Sequence, residues 1–377
     1  MPRQGDGDTP VELRGVGVFG KHQAFVVKEA NPLNGGAPAQ RLVAGALTPV
    51  DHFFVRNHGS IPRIDAAAHR LSVTGMVQRP LTLSLPDLRR QFPTVTVEAV
   101  LECAGNRRSE LMALRPVPGE LPWDAEAVGN AEWTGVPLAA VLAAAGVVPG
   151  ALHAAFNGGD EVTKDGRRFG FGGSIPLAKA TAPEVLLAFD MNGEPLRLEH
   201  GAPLRVVVPG YIGARSVKWV DEIVVSDRPS ENYFQTKAYK MFPPAVTAAT
   251  VDWASGKMLG EIPVNAAIAD PADHAVVPAG RCVVRGYALS GAAPIVTVEV
   301  SADGGRRWQP ASLQPRSSPW AWCLWDAALD LAPGAYELTV RARDARGATQ
   351  PDDMAEAWNF KGYLNNARHR VRITVQS

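Results

Sequence analysis

The sequence predicts an α+β protein in two parts, a mixed α/β part followed by an immunoglobulin-like β-sandwich. Up to Pro243 and Pro244, short apolar strand patterns mix with a few helical segments, without a regular alternation of strand and helix. After these prolines, apolar alternations of strand length follow one another between turn signals. The 36 glycines and 31 prolines among 377 residues also favour a turn-rich chain over a helix bundle.

In the first part, apolar runs rich in β-branched residues predict strands at residues 71–74, 94–101, 185–189, 204–208 and 216–225. Ser84 precedes Leu85-Pro86-Asp87 and is a typical N-cap residue, so we expect a short helix to begin there. A second helix is expected at residues 137–145, where Gly146 stops it. Asn192-Gly193 is a turn signal between two of the strands.

The second part has further strand patterns at residues 282–288, 295–301, 320–325, 336–343 and 369–375. Turn signals such as Asp303-Gly304-Gly305 and Pro333-Gly334 separate them. Short strands at this spacing, with aromatic residues at inward positions, are typical of a β-sandwich. We expect the tryptophans of this part to serve packing rather than ligand binding, namely Trp308, Trp320, Trp322, Trp325 and Trp358.

Charge composition and cysteine pattern exclude several function classes. Lys plus Arg and Asp plus Glu each number 38, so no net charge indicates a nucleic acid or an anionic membrane as a partner. The cysteines Cys103, Cys282 and Cys323 are odd in number and scattered, which argues against a disulfide framework. No CxxC or CxxCH pattern indicates zinc or covalent haem, and no apolar run reaches membrane-spanning length. Because the first residues are polar, the expected compartment is the cytoplasm, or the periplasm if a leader has been removed.

Cys103 is the most informative residue, because it follows an apolar run and precedes a small polar loop with two adjacent arginines. The stretch reads Val97-Glu98-Ala99-Val100-Leu101-Glu102-Cys103-Ala104-Gly105-Asn106-Arg107-Arg108. Strand ends that lead into such loops present reactive groups. We expect the guanidinium charges to favour thiolate over thiol, which suits a metal ligand, a nucleophile or a receptor for an oxyanion. A buried structural cysteine fits these residue types equally well.

Together, four segments resemble signatures of the sulfite oxidase family. They are Phe53-Phe54-Val55-Arg56-Asn57-His58, Leu101 to Arg108, Gly213-Ala214-Arg215-Ser216-Val217-Lys218-Trp219 and Ala238-Tyr239-Lys240-Met241-Phe242. The resemblance begins near Val43 and continues to the C-terminus. It implies an N-terminal extension (residues 1–42), a mixed α/β molybdopterin-binding domain of the sulfite oxidase fold (43–244) and an immunoglobulin-like dimerisation domain (245–377). A homodimer is implied by the resemblance alone.

The resemblance also implies a molybdenum–molybdopterin cofactor, with Cys103 matching the thiolate that binds molybdenum. Arg56 and Arg108 match arginines that face the substrate pocket, and Tyr239 matches the tyrosine whose hydroxyl points at the oxygen that is transferred. Lys361 stands in Trp358-Asn359-Phe360-Lys361-Gly362, where the animal enzymes have an arginine. Lysine keeps the positive charge at this position but lacks the planar guanidinium, which can donate two parallel hydrogen bonds to an oxyanion.

The pterin carries a phosphate, which backbone amides and basic side chains must contact. The positions that match the family's pterin-binding residues are Phe54, Val55, Arg56, Asn57, His58, Asp160, His200, Arg205, Ser216, Val217 and Lys218. The match of Asp160 is ambiguous, because the loop at residues 157–173 is longer than usual. Pro118 stands where a lysine is expected and Glu120 is inserted before Trp123, which implies a reshaped substrate pocket.

The activity implied by the resemblance is oxidation of sulfite to sulfate by oxygen-atom transfer. Convergent arginines suit a compact dianion, and Tyr239 favours sulfite over nitrate because plant nitrate reductases resemble one another in carrying asparagine there. With no haem-attachment motif in the sequence, the electrons are expected to pass to a separate acceptor, a cytochrome c or dioxygen. The alternatives are a sibling molybdenum enzyme acting on another oxyanion or a sulfoxide, a cofactor-free binding module and a cysteine-dependent hydrolase.

Overall fold

The computed structural model describes residues 18–377, so residues 1–17 of the predicted N-terminal extension lie outside the described residues. From Val18 to Leu42 the chain forms a 3-10 turn at Val18–Gly20, a hairpin of Val26–Ala30 with Leu33–Gly36, and a short helix at Ala39–Leu42. In the part of the chain that the structure describes, no helix is long and apolar enough to cross a bilayer.

Two sheets form the first part of the molecule. The first has the spatial strand order Gly172–Pro176, His153–Gly158, Val220–Ser226, Leu71–Gly75 and Leu81–Leu83. In this sheet Val220–Ser226 runs parallel to Leu71–Gly75, and the other neighbours are antiparallel. The second, antiparallel sheet has the order Glu194–Pro195, Leu186–Met191, Val128–Pro137 and Val95–Glu102, and Arg205–Val207 also pairs with Leu186–Met191. This mixture confirms the predicted α+β class.

Short helices connect these strands. They are Leu85–Gln91, Arg108–Leu114, Leu138–Ala145, Leu177–Ala180 and Tyr233–Thr236, with 3-10 turns at Leu198–His200 and Gly213–Arg215. Ser84 caps the first as predicted, because its hydroxyl accepts from the Asp87 N–H and the Asp87 carboxylate accepts from the Ser84 N–H. Gly146 ends Leu138–Ala145 with a φ of +70°, a left-handed conformation that glycine adopts without strain. Both predicted helices are confirmed.

One predicted strand, at residues 216–225, begins later than expected. Trp219 has a φ of +53°, which interrupts the extended backbone, and the strand covers Val220–Ser226. Residues 216–218 therefore form an irregular segment. Similarly, the strand expected from Trp320 begins at Cys323, because the N–H of Ala321 bonds back to the Ser318 carbonyl in a turn.

The second part is a β-sandwich, as predicted. One sheet has the order Asn265–Asp270, Gly280–Leu289, Cys323–Leu331 and Ser312–Leu313, and the other Ala275–Pro278, His369–Gln376, Gly334–Asp344, Ile295–Ser301 and Gln309–Pro310. Inward residues of both sheets, among them Val284, Trp325, Leu338 and Ile373, pack into one apolar cluster. The expected packing role is confirmed for the buried Trp322, Trp325 and Trp358, whereas Trp308 and Trp320 are half-buried under cationic side chains.

Smaller elements complete the chain. Val162–Lys164 pairs with Arg167–Phe169, and Lys240–Met241 pairs with Lys257–Met258. The loop between Gly334–Asp344 and His369–Gln376 holds the short helix Met354–Ala357 and returns to the first part of the molecule. There the N–H of Leu364 donates to the carbonyl of Ala104 at 2.7 Å. The loop therefore lies against the residues that follow Cys103.

Candidate functional site

Cys103 lies where the strand Val95–Glu102 turns toward the helix Arg108–Leu114. Its N–H donates to the Ala127 carbonyl and its own carbonyl accepts from the Asn106 N–H, both at 2.9 Å, so the backbone here is fixed. The Sγ atom accepts from the Gly105 N–H at 3.4 Å. The side chain is 6% exposed and lines a cavity whose wall also carries Arg56, Lys218 and Tyr239.

The two arginines after Cys103 lie in different surroundings. Arg107 has a φ of +61° and is fully buried against the sandwich. Its guanidinium donates to Asn265 Oδ1 and to the Ala367 carbonyl, each at 2.8 Å, and pairs with Glu110 at 2.7 Å. Arg107 therefore anchors the loop that carries Cys103 to the second part of the molecule, a role that its residue type in the sequence did not reveal.

Most of the predicted site residues meet at the cavity of Cys103. Those on its wall are Phe54, Arg56, Asn57, His58, Cys103, Asp160, His200, Arg205, Ser216, Lys218 and Tyr239. Val55 and Val217 do not line it. Both are buried, Val55 bonded through its backbone to Gly35 and Val217 packed in the apolar core of the first part. Arg108 and Lys361 lie outside this wall and are described below.

The cavity wall carries two basic side chains that form no ion pair within the described part of the chain. Arg205 is buried and donates to the His200 carbonyl at 2.9 Å and the Ser216 carbonyl at 3.1 Å, and it has no ion pair with a described carboxylate. Burial lowers the pKa of Arg205 to about 9. Lys218 contacts Asn57 Oδ1 and the Glu199 carbonyl, and burial together with Arg205 lowers its pKa well below the usual value. Positive charge held at such a cost fits an anionic group such as a phosphate.

Lys21 also belongs to this site, although it lies in the predicted N-terminal extension. It is 4% exposed, and its Nζ lies 2.8 Å from the Val50 carbonyl and 2.6 Å from His200 Nε2. Burial lowers the pKa of Lys21 to about 8 and the pKa of His200 well below its usual value, so His200 is the neutral acceptor of this hydrogen bond. A single lysine in a polar segment gives no sequence signal of such a contact.

Asp160 and Ser216 shape the cavity through the backbone. Asp160 Oδ1 accepts from the Phe171 N–H at 2.8 Å. This hydrogen bond holds the loop at residues 157–173, the loop whose length made the sequence match of Asp160 ambiguous. The Ser216 hydroxyl accepts from the Val208 N–H at 3.0 Å. Both side chains thus reach the cavity wall while fixing neighbouring segments.

Arg56, His58 and Tyr239 form a chain of hydrogen bonds. Arg56 Nη2 lies 3.3 Å from His58 Nδ1, and His58 Nε2 lies 2.8 Å from the Tyr239 hydroxyl. Burial and the charge of Arg56 lower the pKa of His58 well below its usual value, so the ring is neutral. Because a guanidinium only donates, Nδ1 accepts and Nε2–H donates to Tyr239. Burial raises the pKa of Tyr239, which keeps its proton and can donate it into the cavity.

Burial also decides the protonation of Cys103. It raises the pKa of the Cys103 thiol, and the opposing charges of Arg56 and Arg108 do not compensate for it. The guanidinium charges of Arg56 and Arg108 do favour the thiolate, as expected, but burial outweighs them when only the protein's own groups act. A bound metal cation is the kind of group that stabilises a thiolate at such a buried position.

Arg108 and Lys361 are both occupied by Glu120. Lys361 Nζ contacts Glu120 Oε1, and Arg108 Nη2 lies 3.7 Å from Glu120 Oε2. Arg108 Nε also donates to the carbonyls of Lys361 and Gly362 at 3.2 and 3.1 Å. Both cations lie beside the ring of Tyr363, which stacks on Tyr239 at a centroid distance of 5.3 Å. The predicted substrate-binding cations are therefore adjacent to the cavity, but they bind a carboxylate of the protein itself.

Comparisons with known proteins agree with this geometry. The oxidoreductase molybdopterin-binding domain matches residues 58–234, and the Mo-co oxidoreductase dimerisation domain matches residues 257–376. The sulfite oxidase of Gallus gallus is 42% identical over 361 residues, which cover 93% of this chain and 78% of that protein. The chain belongs to the sulfite oxidase family. The predicted resemblance is confirmed.

The chain is also similar to a plant sulfite oxidase, to a bacterial sulfane dehydrogenase and to a plant nitrate reductase. The sulfite oxidase of Arabidopsis thaliana is 40% identical over 377 residues, covering 94% of this chain and 95% of that protein. The crystal structure of the sulfane dehydrogenase SoxCD from Paracoccus pantotrophus matches with a TM-score of 0.80 and 28% identity, covering 97% of this chain and 92% of that chain. An inducible NADH nitrate reductase of Glycine max is 35% identical, and the match covers 41% of its length.

The family's cofactor is molybdenum–molybdopterin, and the residues present fit it. Cys103 offers one thiol sulfur, a soft donor suited to molybdenum, at the cavity wall. Arg205 and Lys218 offer a buried guanidinium and a buried amine, neither in an ion pair with a carboxylate of residues 18–377, and a phosphate such as that of the pterin would stabilise their charged forms. His200 offers a neutral ring held by Lys21.

Proposed function

We propose that this protein oxidises sulfite to sulfate at a molybdenum–molybdopterin cofactor held in the cavity of Cys103. One sulfite and one water give one sulfate, two protons and two electrons. One observation carries the proposal: in a chain of this family, the Cys103 thiol, the Tyr239 hydroxyl and the Arg56 guanidinium lie on the wall of one cavity, and the hydroxyl is free to donate.

The cofactor supplies the oxygen-atom transfer and accepts the two electrons when it is bound, and the protein supplies position and charge. Cys103 would hold the molybdenum through its sulfur, at a strand end whose backbone is fixed on both sides. Arg205, Lys218 and His200 would hold the pterin and its phosphate.

Arg56 and Tyr239 act on the substrate in this proposal. The Arg56 guanidinium attracts and orients the sulfite dianion and keeps His58 in the tautomer that donates to Tyr239. The Tyr239 hydroxyl then has its proton free to donate to an oxygen of the bound anion. Arg108 and Lys361 offset the remaining negative charge once an anion replaces Glu120 beside them.

The remaining parts of the proposal concern assembly and partners. The dimerisation domain matched at residues 257–376 supports a homodimer, and we place the boundary between the two functional domains near residue 244. The electrons leave to a separate acceptor, and a small cytochrome c or dioxygen has the required redox chemistry. Comparing both acceptors with the sulfite-reduced enzyme under single-turnover conditions identifies which one accepts electrons.

The test is anaerobic reduction of the purified, cofactor-loaded protein by sulfite, followed through the visible spectrum and quantified with molybdenum and sulfate analyses. Stoichiometric sulfate formation with reduction of the metal is expected for the wild type. A Cys103→Ser variant should remain folded with pterin bound but lose turnover. Normal sulfite oxidation by this variant would contradict the role of Cys103. Faster turnover of nitrate or methionine sulfoxide than of sulfite by the wild type would overturn the proposed substrate.

A further inference from the structure

Glu120 is a carboxylate placed where an anion would otherwise bind. One carboxylate oxygen contacts the ammonium of Lys361, and the other lies 3.7 Å from Nη2 of Arg108. The side chain of Arg108 is 3% exposed and that of Glu120 is 13% exposed, so the pair is largely withdrawn from water. A carboxylate shares with sulfite and sulfate the negative oxygen atoms that such cations recognise.

Arg108 cannot move away from this position. Its Nε donates to the carbonyls of Lys361 and Gly362, and its Nη1 donates to the carbonyl of Leu121 at 2.9 Å. Gly362, at a φ of +58°, lies so close that a Cβ atom there would be 2.6 Å from Arg108 Cγ. The guanidinium is therefore clamped, and Nη2 is the nitrogen left to face Glu120 without a backbone carbonyl among the described residues.

The distance between Glu120 and Arg108 marks this contact as replaceable. At 3.7 Å the two atoms attract as charges but form no hydrogen bond, because N–H···O bonds have N···O distances near 2.9 Å. An oxyanion that reaches Nη2 at hydrogen-bond distance would form a stronger contact than Glu120 does. The Glu120 side chain has one close contact, to Lys361, whereas Arg108 is held by three backbone carbonyls.

This ion cluster adjoins the catalytic cavity. The Arg108 guanidinium lies 5.3 Å and the Lys361 ammonium 5.9 Å from the centre of the Tyr363 ring. Tyr363 stacks on Tyr239 with an angle of 18° between the rings. The cluster is thus separated from Tyr239 by one aromatic ring, and the charge of Glu120 acts on any anion that approaches the Tyr239 hydroxyl.

We propose that Glu120 sets the affinity of the substrate pocket for oxyanions, as an internal counter-anion that competes with sulfite and sulfate for Arg108 and Lys361. This inference rests on the proposed function. While Glu120 holds the cations, their charge is partly neutralised and an entering dianion meets a carboxylate. The substrate must displace Glu120 to gain both cations, and Glu120 returns when the product sulfate leaves. Glu120 therefore weakens the binding of both anions and favours product release.

The decisive experiment compares the cofactor-loaded wild type with Glu120→Gln, which keeps the shape of the side chain and removes its charge. A charge-assisted hydrogen bond contributes about 1.5–3 kcal/mol, so we expect the sulfite KM and the sulfate inhibition constant to fall roughly 10- to 100-fold. kcat should not rise, because Glu120 touches no reacting atom, and it should fall where the slower release of sulfate limits turnover. Glu120→Asp, which keeps the charge, should stay close to the wild type.

Glu299→Gln is the matched control. Glu299 pairs with Arg341 at 2.7 Å on the sandwich and is also a carboxylate paired with an arginine. This variant should leave the sulfite KM and the sulfate inhibition constant unchanged. If Glu120→Gln does not fold, Glu120→Ala carries the same expectation, and thermal unfolding identifies the folded variants.

Sulfate binding, measured by titration calorimetry, separates this inference from the proposed function. Tighter sulfate binding by the Glu120→Gln variant supports the inference even if the wild type does not oxidise sulfite, a result that would remove the proposed function alone. A sulfite KM and a sulfate affinity within twofold of the wild type in an active Glu120→Gln variant would overturn the inference. A rise in either constant would overturn it as well.

Discussion

Replacing Arg205 by methionine should stabilise the protein when it contains no cofactor and weaken its hold on the cofactor. Burial lowers the pKa of Arg205 from 12.5 to about 9, and one pKa unit corresponds to about 1.4 kcal/mol, so keeping this charge in place costs roughly 5 kcal/mol. Methionine removes that cost and leaves the carbonyls of His200, Val206 and Ser216 short of a donor, at about 1 kcal/mol each. The net gain is roughly 2 kcal/mol.

The assay is thermal unfolding of wild type and Arg205→Met, both expressed in a host that makes no pterin cofactor. At about 1.3 °C per kcal/mol for a chain of 377 residues, the midpoint should rise by roughly 2–3 °C. In a cofactor-producing host the variant should retain roughly 10- to 100-fold less pterin after gel filtration, since one charge-assisted contact to the phosphate is lost.

Arg205→Lys is the control that keeps the charge. It should retain more pterin than the methionine variant and should gain no comparable stability without the cofactor. The reasoning fails if the cofactor-free methionine variant unfolds at a lower temperature than the wild type. It fails equally if the methionine variant retains the pterin as the wild type does.

Other predictions test separate features of the molecule. Tyr239→Phe should lower kcat/KM for sulfite roughly 10- to 100-fold, because a hydrogen-bond donor to the anion is lost. The control is Tyr336→Phe, which should leave kcat/KM unchanged, because the Tyr336 hydroxyl donates to the Ala332 carbonyl on the sandwich. Equal kinetics for the two variants would refute the role of Tyr239. Burial lowers the pKa of His369 to about 4, so near pH 6.5 the unfolded chain binds a proton that the folded protein does not bind. The free energy of unfolding should therefore fall by up to roughly 3 kcal/mol as the pH drops from 6.5 to 4. His369→Gln, which can still accept from the Ile268 N–H, should make the measured fall of the unfolding midpoint shallower, and an unchanged slope would contradict this. Ser84→Ala removes a helix cap and should lower the free energy of unfolding, measured with urea, by about 1 kcal/mol. Sulfite turnover should be unchanged, and a slower turnover would contradict the purely structural role of Ser84.

Local patterns predicted the parts of this protein that depend on neighbouring residues. The apolar run before Cys103 does form a strand that ends at the thiol, and Ser84 does cap a helix, because both depend on residues a few positions apart. The β-sandwich followed from strand alternation and turn signals for the same reason. The strand expected from Ser216 begins four residues later, at Val220, because Trp219 has a left-handed φ that its residue type does not predict.

Contacts between residues far apart in the chain could not be predicted from the sequence. Lys21 meets His200, and Glu120 meets Lys361, with no periodicity or motif that links them. Arg107 and Arg108 are identical and adjacent, yet the left-handed backbone at Arg107 sends it into the sandwich. The sequence showed the charges that favour the thiolate of Cys103, but not the burial that raises the pKa of the thiol against them.

The hydrogen bonds from Leu364 to Ala104 and from Arg107 to Ala367 bear on when the enzyme can be assembled. A nascent chain still on the ribosome lacks these last partners, although Cys103 was synthesised long before them. Until residues 364–367 pack against it, the loop that carries Cys103 lacks both of these hydrogen bonds. The order of the wall that would hold the cofactor therefore depends on the second part of the molecule as well as on the first.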